Sequence, residues 1–280
     1  MPLPRPCEPF DRRSVPMIRT VRATRYVTPL REGGSLPAIV EADDLGFYVL
    51  KFRGAGQGPL ALVAELIAGE IGRALGLKVP ELVHMEVDPA LGRNEEDPEI
   101  RDLLKASVGL NLGLDYLPGS ITFDPAARDA VDADLASAAV WFDAFVTNVD
   151  RTPRNPNLLW WHRVLHFIDH GAALYFHHSW PATEAALEAA ARGRFPAVRD
   201  HVLLPWASRI AEADERLRAL LSEALFARVV AEIPEEWLSP DPAAAPPAGR
   251  RAGYVEFLTR RLAAADLFVE EAVRARAQLV

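Results

Sequence analysis

FDAFVTNVDRTPRNPNLLWWHRVLHFIDHGA, residues 142 to 172, is the stretch whose reading decides the fold. Just before and within its start, Trp141, Phe142, Phe145 and Val146 recur at helical spacing, and Asp134 upstream reads as the cap of that helix. A polar loop follows at 148–157. Leu158 to Trp161 and Val164 to Ile168 then read as a hairpin turning at His162-Arg163. The helix therefore delivers a loop carrying Asp150 and, five residues on, Asn155. The hairpin delivers Asp169, nineteen residues after Asp150.

These are the residue types that phosphoryl transfer from ATP requires. One carboxylate must orient an acceptor hydroxyl and take its proton. An amide oxygen and a second carboxylate must hold Mg²⁺, a hard cation that takes few ligands from protein. Upstream, the apolar run Tyr48-Val49-Leu50 ends in Lys51, placed to neutralise phosphates. Glu65, fourteen residues later, lies in the amphipathic stripe of Leu60, Val63, Ile67 and Ile71. A carboxylate on that face wants a cation, and Lys51 is the obvious one, with Glu70 the alternative to Glu65. Gly33-Gly34-Ser35 forms a turn whose backbone N–H groups suit a phosphate.

Outward from these residues, the first half reads as β-structure with one helix. Ile18 to Val27, Ala38 to Glu41, Phe47 to Phe52, Leu77 to Val87 and Ser107 to Leu117 are extended, Gly76 stops the helix, and Asp88 to Asp102 is a surface loop. After residue 181 the pattern is helical, with breaks near 193–196, Pro205 and Pro234. A Pro/Ala loop at Pro240–Gly249 precedes a last helix, Tyr254 to Ala277. The fold class is α+β in two lobes. A flexible extension covers 1–17, a β-rich lobe 18–120, and a helical lobe 121–280, with the ligand site expected in the cleft between them.

The 280 residues suffice for one such domain, and their net charge of −8 argues against nucleic acid as a direct partner. The single cysteine, Cys7, gives no internal disulfide. No apolar run reaches the roughly 20 residues of a membrane span. The four prolines before Ser14 fit no signal peptide. A cytoplasmic location is expected, with Met17 as an alternative start, and the Arg- and Ala-rich usage suggests a GC-rich bacterial genome.

The ordered set resembles the protein-kinase-like fold, and in particular the HipA-like kinases of bacteria in a compact form. The resemblance rests on Gly34-Ser35-Leu36-Pro37, Tyr48-Val49-Leu50-Lys51-Phe52, Glu65 in the helix ending at Leu75-Gly76-Leu77, Asn148-Val149-Asp150-Arg151-Thr152 with Asn155, Ile168-Asp169-His170-Gly171, and Ile233-Pro234-Glu235-Glu236-Trp237-Leu238. It spans about residues 18–275. It implies ATP and Mg²⁺ as cofactors, Asp150 as base, Asn155 and Asp169 as metal ligands, Lys51 on phosphate and Glu65 fixing Lys51. It also implies a protein serine or threonine as acceptor. The sequence departs from the wider kinase pattern in three places. Asn148-Val149 stands where His-Arg is usual, Asp-His-Gly replaces Asp-Phe-Gly, and no full G-x-G-x-x-G loop is present. No DNA-binding helix pair is fused to the chain, so any regulatory protein would be separate.

Each residue alone has a plainer reading. Asp150 and Asn155 can cap a turn, Lys51 can be a solvated strand end, and Gly33-Gly34 can be only a turn. Asn157 competes with Asn155 as a ligand. His162, His166 and His170 straddle a turn and do not share a face as zinc ligands would. His177-His178 and Trp160-Trp161 read as packing. A pseudokinase or nucleotide-binding scaffold without turnover is the alternative to an active phosphotransferase, and a metal-holding module the third reading. No G-x-S-x-G elbow or G-x-x-x-x-G-K-[ST] loop occurs.

Overall fold

The computed structural model describes residues 18–30, 36–93, 95–127, 131–238 and 246–279. Gly33, Gly34 and Ser35, the extension at 1–17 and Cys7 lie outside the described residues.

Strands β1 (Thr20–Pro29), β2 (Ala38–Ala42), β3 (Phe47–Lys51), β4 (Leu82–Val87) and β5 (Gly109–Asp115) close into a barrel in the order β1-β2-β3-β5-β4. The pairs are antiparallel except the closing β1–β4 pair, which is parallel. Side chains alternate across each strand, so Val21, Val40, Tyr48, Leu50, Val83 and Met85 fill the interior. The wall is tight at Gly113, where a Cβ would come within 2.8 Å of Val83 Cγ2. The opposite parity sends Val49, Leu112 and Leu114 outward into the second core, and Lys51 leaves the strand on that same side.

There the barrel meets α1 (Pro59–Ala74), which is buried at every residue from Leu62 to Gly72. A helix apolar on nearly all faces must be covered on nearly all faces, and α1 is packed between the barrel and the C-terminal helices. Its end is fixed by Gly76 at φ 85, with Gly76 N–H bonding Arg73 O and Leu77 N–H bonding Gly72 O, both at 3.0 Å.

The expected surface loop at 88–102 is in part a helix, α2 (Pro98–Ala106), capped by Asp97 and dropping Ile100 and Leu104 into the end of the barrel core. Pro98, read as a breaker, occupies the first helical turn, where a missing N–H costs nothing.

The C-terminal part builds on α3 (Ala133–Phe145), buried throughout from Ala136. Its cap is Asp132, which accepts from the N–H of Asp134 and Leu135 at 3.0 Å. Asp134, the expected cap, instead pairs with Arg209 at 2.8 Å. The hairpin forms as β7 (Leu158–Trp161) and β8 (Val164–Phe167), its turn residues His162 and Arg163 both at positive φ, as a two-residue hairpin requires. A short β6 (Ile121–Thr122), not anticipated from sequence, adds to β7.

Helices α4 (Glu184–Ala191), α5 (Ile210–Arg218), α6 (Glu223–Ala231), α7 (Glu235–Leu238), α8 (Pro247–Ala263) and α9 (Ala265–Ala277) complete the chain. The single last helix expected at Tyr254–Ala277 is two, broken at Ala264 within an alanine run that carries no periodic signal. The first of them starts seven residues earlier, so Pro247–Gly249 are helix and not loop; 239–245 lie outside the described residues. From α8, Arg261 is buried and donates to the carbonyls of Phe145 (2.7 Å) and Ala191 (2.9 Å). Burial pushes its pKa down to about 9, yet it satisfies carbonyls at the ends of α3 and α4. The same part reaches back to the barrel through α7. Glu236 accepts the Leu110 N–H (3.1 Å) and pairs with Arg53 (3.0 Å), while buried Trp237 donates to Leu110 O (3.0 Å). β3 stops pairing with β5 at Leu112, so these side chains serve β5 beyond the reach of β3.

Candidate active site

Lys51 at the end of β3, Glu65 in mid-α1 and Asp169 after β8 meet directly. Lys51 Nζ lies 2.5 Å from Glu65 Oε2 and 2.5 Å from Asp169 Oδ1. Glu65 is fully buried, while the Asp169 side chain is 49% exposed. Burial would strip the Lys51 ammonium of its proton, but the charges of Asp169 and Glu65 outweigh it and hold its pKa above the ordinary value. Burial would likewise raise Glu65, but Lys51 and bonds from His170 bring it to about 2. The expected Lys51–Glu65 partnership is therefore present. Glu70, the alternative, pairs instead with Arg73 at 3.3 Å.

Asp169 reaches Lys51 because its backbone takes the left-handed conformation, φ 54, turning the chain sharply out of β8. Beside this pair lies a cavity of about 20 Å³, lined by Lys51, Gly58, Ala61, Asp169 and Gly171 among others.

The catalytic-loop candidates are fixed by a tight turn. Thr152 and Asn155 exchange backbone bonds at 3.1 Å, which brings Asn155 Nδ2 to 2.7 Å from Asp150 Oδ2. That bond uses the amide nitrogen and leaves the carbonyl oxygen of exposed Asn155 as a lone-pair donor. Asn157 is nearly buried, and its Nδ2 makes no hydrogen bond. For Asp150, burial and the nearby charge of Asp169 prevail over the Asn155 bond and raise the pKa above the usual carboxylate range.

Sequence reasoning missed the group that holds this loop. Asp143 of α3 and Arg151 are both fully buried and paired, Nε to Oδ2, at 2.5 Å. His201 Nε2 binds the same Asp143 oxygen at 2.8 Å, and Asn148 Nδ2 donates to its other oxygen at 2.9 Å. Burial would raise Asp143, but Arg151 and His201 outweigh it and hold it far below the carboxylate range. Asn148 Oδ1 accepts the Asp150 N–H at 3.2 Å, and Arg151 Nη1 donates to Asn157 O (2.5 Å) and Ile168 O (3.3 Å). One buried cluster thus ties α3, the loop and the segment before Asp169 together. The available signal was an aspartate inside the apolar run FDAF, since a carboxylate there demands a cation.

Of the three histidines weighed for zinc, His166 Nδ1 contacts Val164 O at 3.0 Å and His170 contacts Glu65 at 3.2 Å. Half-exposed Asp169 and exposed Asn155 carry hard oxygens of the kind that Mg²⁺ takes, and Lys51 beside Asp169 is of the kind that phosphate oxygens take.

The Helicobacter pylori proinflammatory kinase CtkA is a solved structure similar to this chain, with a TM-score of 0.51 and 12% identity, covering 90% of this chain and 97% of that one. The likeness supports a kinase-like fold for this mixed α+β chain, strands first and helices after. No curated protein matches the sequence. The sequence model of the HipA-like kinase family matches residues 24–269, nearly the whole chain, and the chain belongs to that family.

Proposed function

We propose that the chain is a Mg-ATP-dependent phosphotransferase whose acceptor is a hydroxyl, in the two-lobed arrangement with the site between barrel and helices. The observation that carries this reading is the convergence of Lys51, Glu65 and Asp169 in one ion-paired group. Lys51 would bind nucleotide phosphates, oriented by Glu65. Asn155 and Asp169 would hold Mg²⁺, whose chemistry when bound is to offset charge on the phosphate oxygens. Asp150 would orient the acceptor hydroxyl and take its proton, and its raised pKa suits a base better than an ordinary aspartate. Asn148 and Arg151 hold the loop where His-Arg is usual. Family membership favours a protein serine or threonine as acceptor.

The test is thermal unfolding with ATP, with Mg²⁺ and with both, on wild type and Asp169→Ala, followed by a phosphate-transfer assay. A midpoint rise that needs both ligands and vanishes in Asp169→Ala supports the site. Asp150→Ala should bind nucleotide and lose transfer; transfer at the wild-type rate would remove Asp150 as base. Binding without transfer in the wild type would leave a nucleotide-binding scaffold.

A further inference from the structure

His170 follows exposed Asp169 directly, yet it is fully buried beneath α1. It makes two bonds to one carboxylate. Its backbone N–H donates to Glu65 Oε2 at 2.8 Å, and its ring Nδ1–H donates to Glu65 Oε1 at 3.2 Å. Phe142 of α3 packs edge-on against the ring, centroids 5.7 Å apart at 74°. The other ring nitrogen, Nε2, is buried without a partner. An apolar ring would remove the unpartnered Nε2 but would leave Glu65 Oε1 buried without its bond, so the imidazole holds its place through Nδ1.

The four side chains form a closed circuit. Lys51 bonds Glu65 and Asp169, Glu65 bonds His170, and the peptide link returns to Asp169. We propose that His170 is a positioning residue that couples Lys51 to Asp169, by locking the Glu65 carboxylate so that Lys51 stays placed when Asp169 leaves it for a cation. The inference rests on the nucleotide reading of the site. With both Glu65 oxygens engaged, Lys51 keeps one fixed partner after Asp169 turns away. Without the ring bond, Glu65 Oε1 is left buried and unsatisfied, the carboxylate can rotate, and Lys51 loses its anchor as Asp169 departs. His170 therefore acts on the gain in nucleotide affinity that Mg²⁺ brings more than on folding.

The experiment measures ATP binding calorimetrically with and without Mg²⁺, and KM for ATP, on the full chain as wild type, His170→Phe, His170→Leu and His170→Asn. His170→Phe should lose about tenfold of the Mg²⁺-dependent affinity, as expected for one buried bond to a charged group, while remaining folded at the assay temperature. His170→Asn, whose amide N–H can stand in for Nδ1–H, should recover most of it. If Phe is not accommodated, His170→Leu removes the same bond and is read in the same way. A folded His170→Phe or His170→Leu within about twofold of wild type overturns the inference alone. So does an equal loss in all three variants together with a lowered midpoint, which marks a merely structural role. A wild type that binds no nucleotide overturns the site reading and this inference with it.

Discussion

Asp143 and Arg151 form an ion pair in which neither side chain retains any exposed surface. Such a pair contributes little net stability while intact and a large penalty when halved. Asp143→Ala should therefore cost about 3–5 kcal/mol in urea unfolding by stranding the guanidinium, and replacing both residues by apolar ones of similar volume should cost less. A loss under about 1 kcal/mol would mean that the pair is not sealed from water. The sign of its pH dependence follows from the depressed Asp143 pKa. The contribution is present above the ordinary carboxylate range and is lost only as pH falls well below it.

Glu70 behaves in the opposite sense. Burial, opposed in part by Arg73, raises its pKa to about 7, and one of its oxygens has no hydrogen-bond partner. The folded state holds this proton more tightly than the unfolded chain. The contribution of Glu70 to stability is therefore greatest below about pH 4.5 and falls as pH rises toward 7. Glu70→Gln should stabilise the protein by about 1–3 kcal/mol at pH 8 and by much less at pH 5. A variant equally or less stable at pH 8 would refute the assignment.

With Asp150 in the proposed role of base, its raised pKa should place the acid limb of kcat/KM for transfer above the range of an ordinary aspartate. Activity should fall as pH drops through that limb, and Asp150→Asn should abolish transfer at every pH. A wild-type profile flat to pH 4 would separate Asp150 from the proton transfer.

Gly76→Ala tests the end of α1. Its φ of 85 costs an alanine about 1–2 kcal/mol, and nothing lies within 4 Å of the new methyl. The loss should therefore appear as strain in the unfolding free energy, with nucleotide binding retained.

The places of Lys51, Glu65, Asp150, Asn155 and Asp169 in the fold were legible because each sits at a marked point in a local pattern: a strand end, a helix stripe, a loop or a hairpin exit. The α+β order was legible for the same reason, since extended runs dominate up to residue 117 with one helical stripe from Leu60, and the pattern after residue 181 is helical. What escaped was non-local. The partner of Asp143 depends on how a loop folds back on α3, and His170 meets Glu65 across 105 residues. α2 was missed because its three large apolar residues, Ile100, Leu103 and Leu104, span little more than one turn among charged neighbours, and because Pro98 serves equally as stop and start. The break at Ala264 falls within Ala263-Ala264-Ala265, where every position suits a helix.

The bonds from Glu236 and Trp237 to Leu110 join residues 126 and 127 positions apart. As the chain leaves the ribosome, β5 can pair with its neighbouring strands early, but the Leu110 amide and carbonyl must wait for α7. The strands can close the barrel before the helices are made, but a nascent chain halted before residue 233 would leave the Leu110 amide and carbonyl without these partners and the α7-facing side of α1 uncovered.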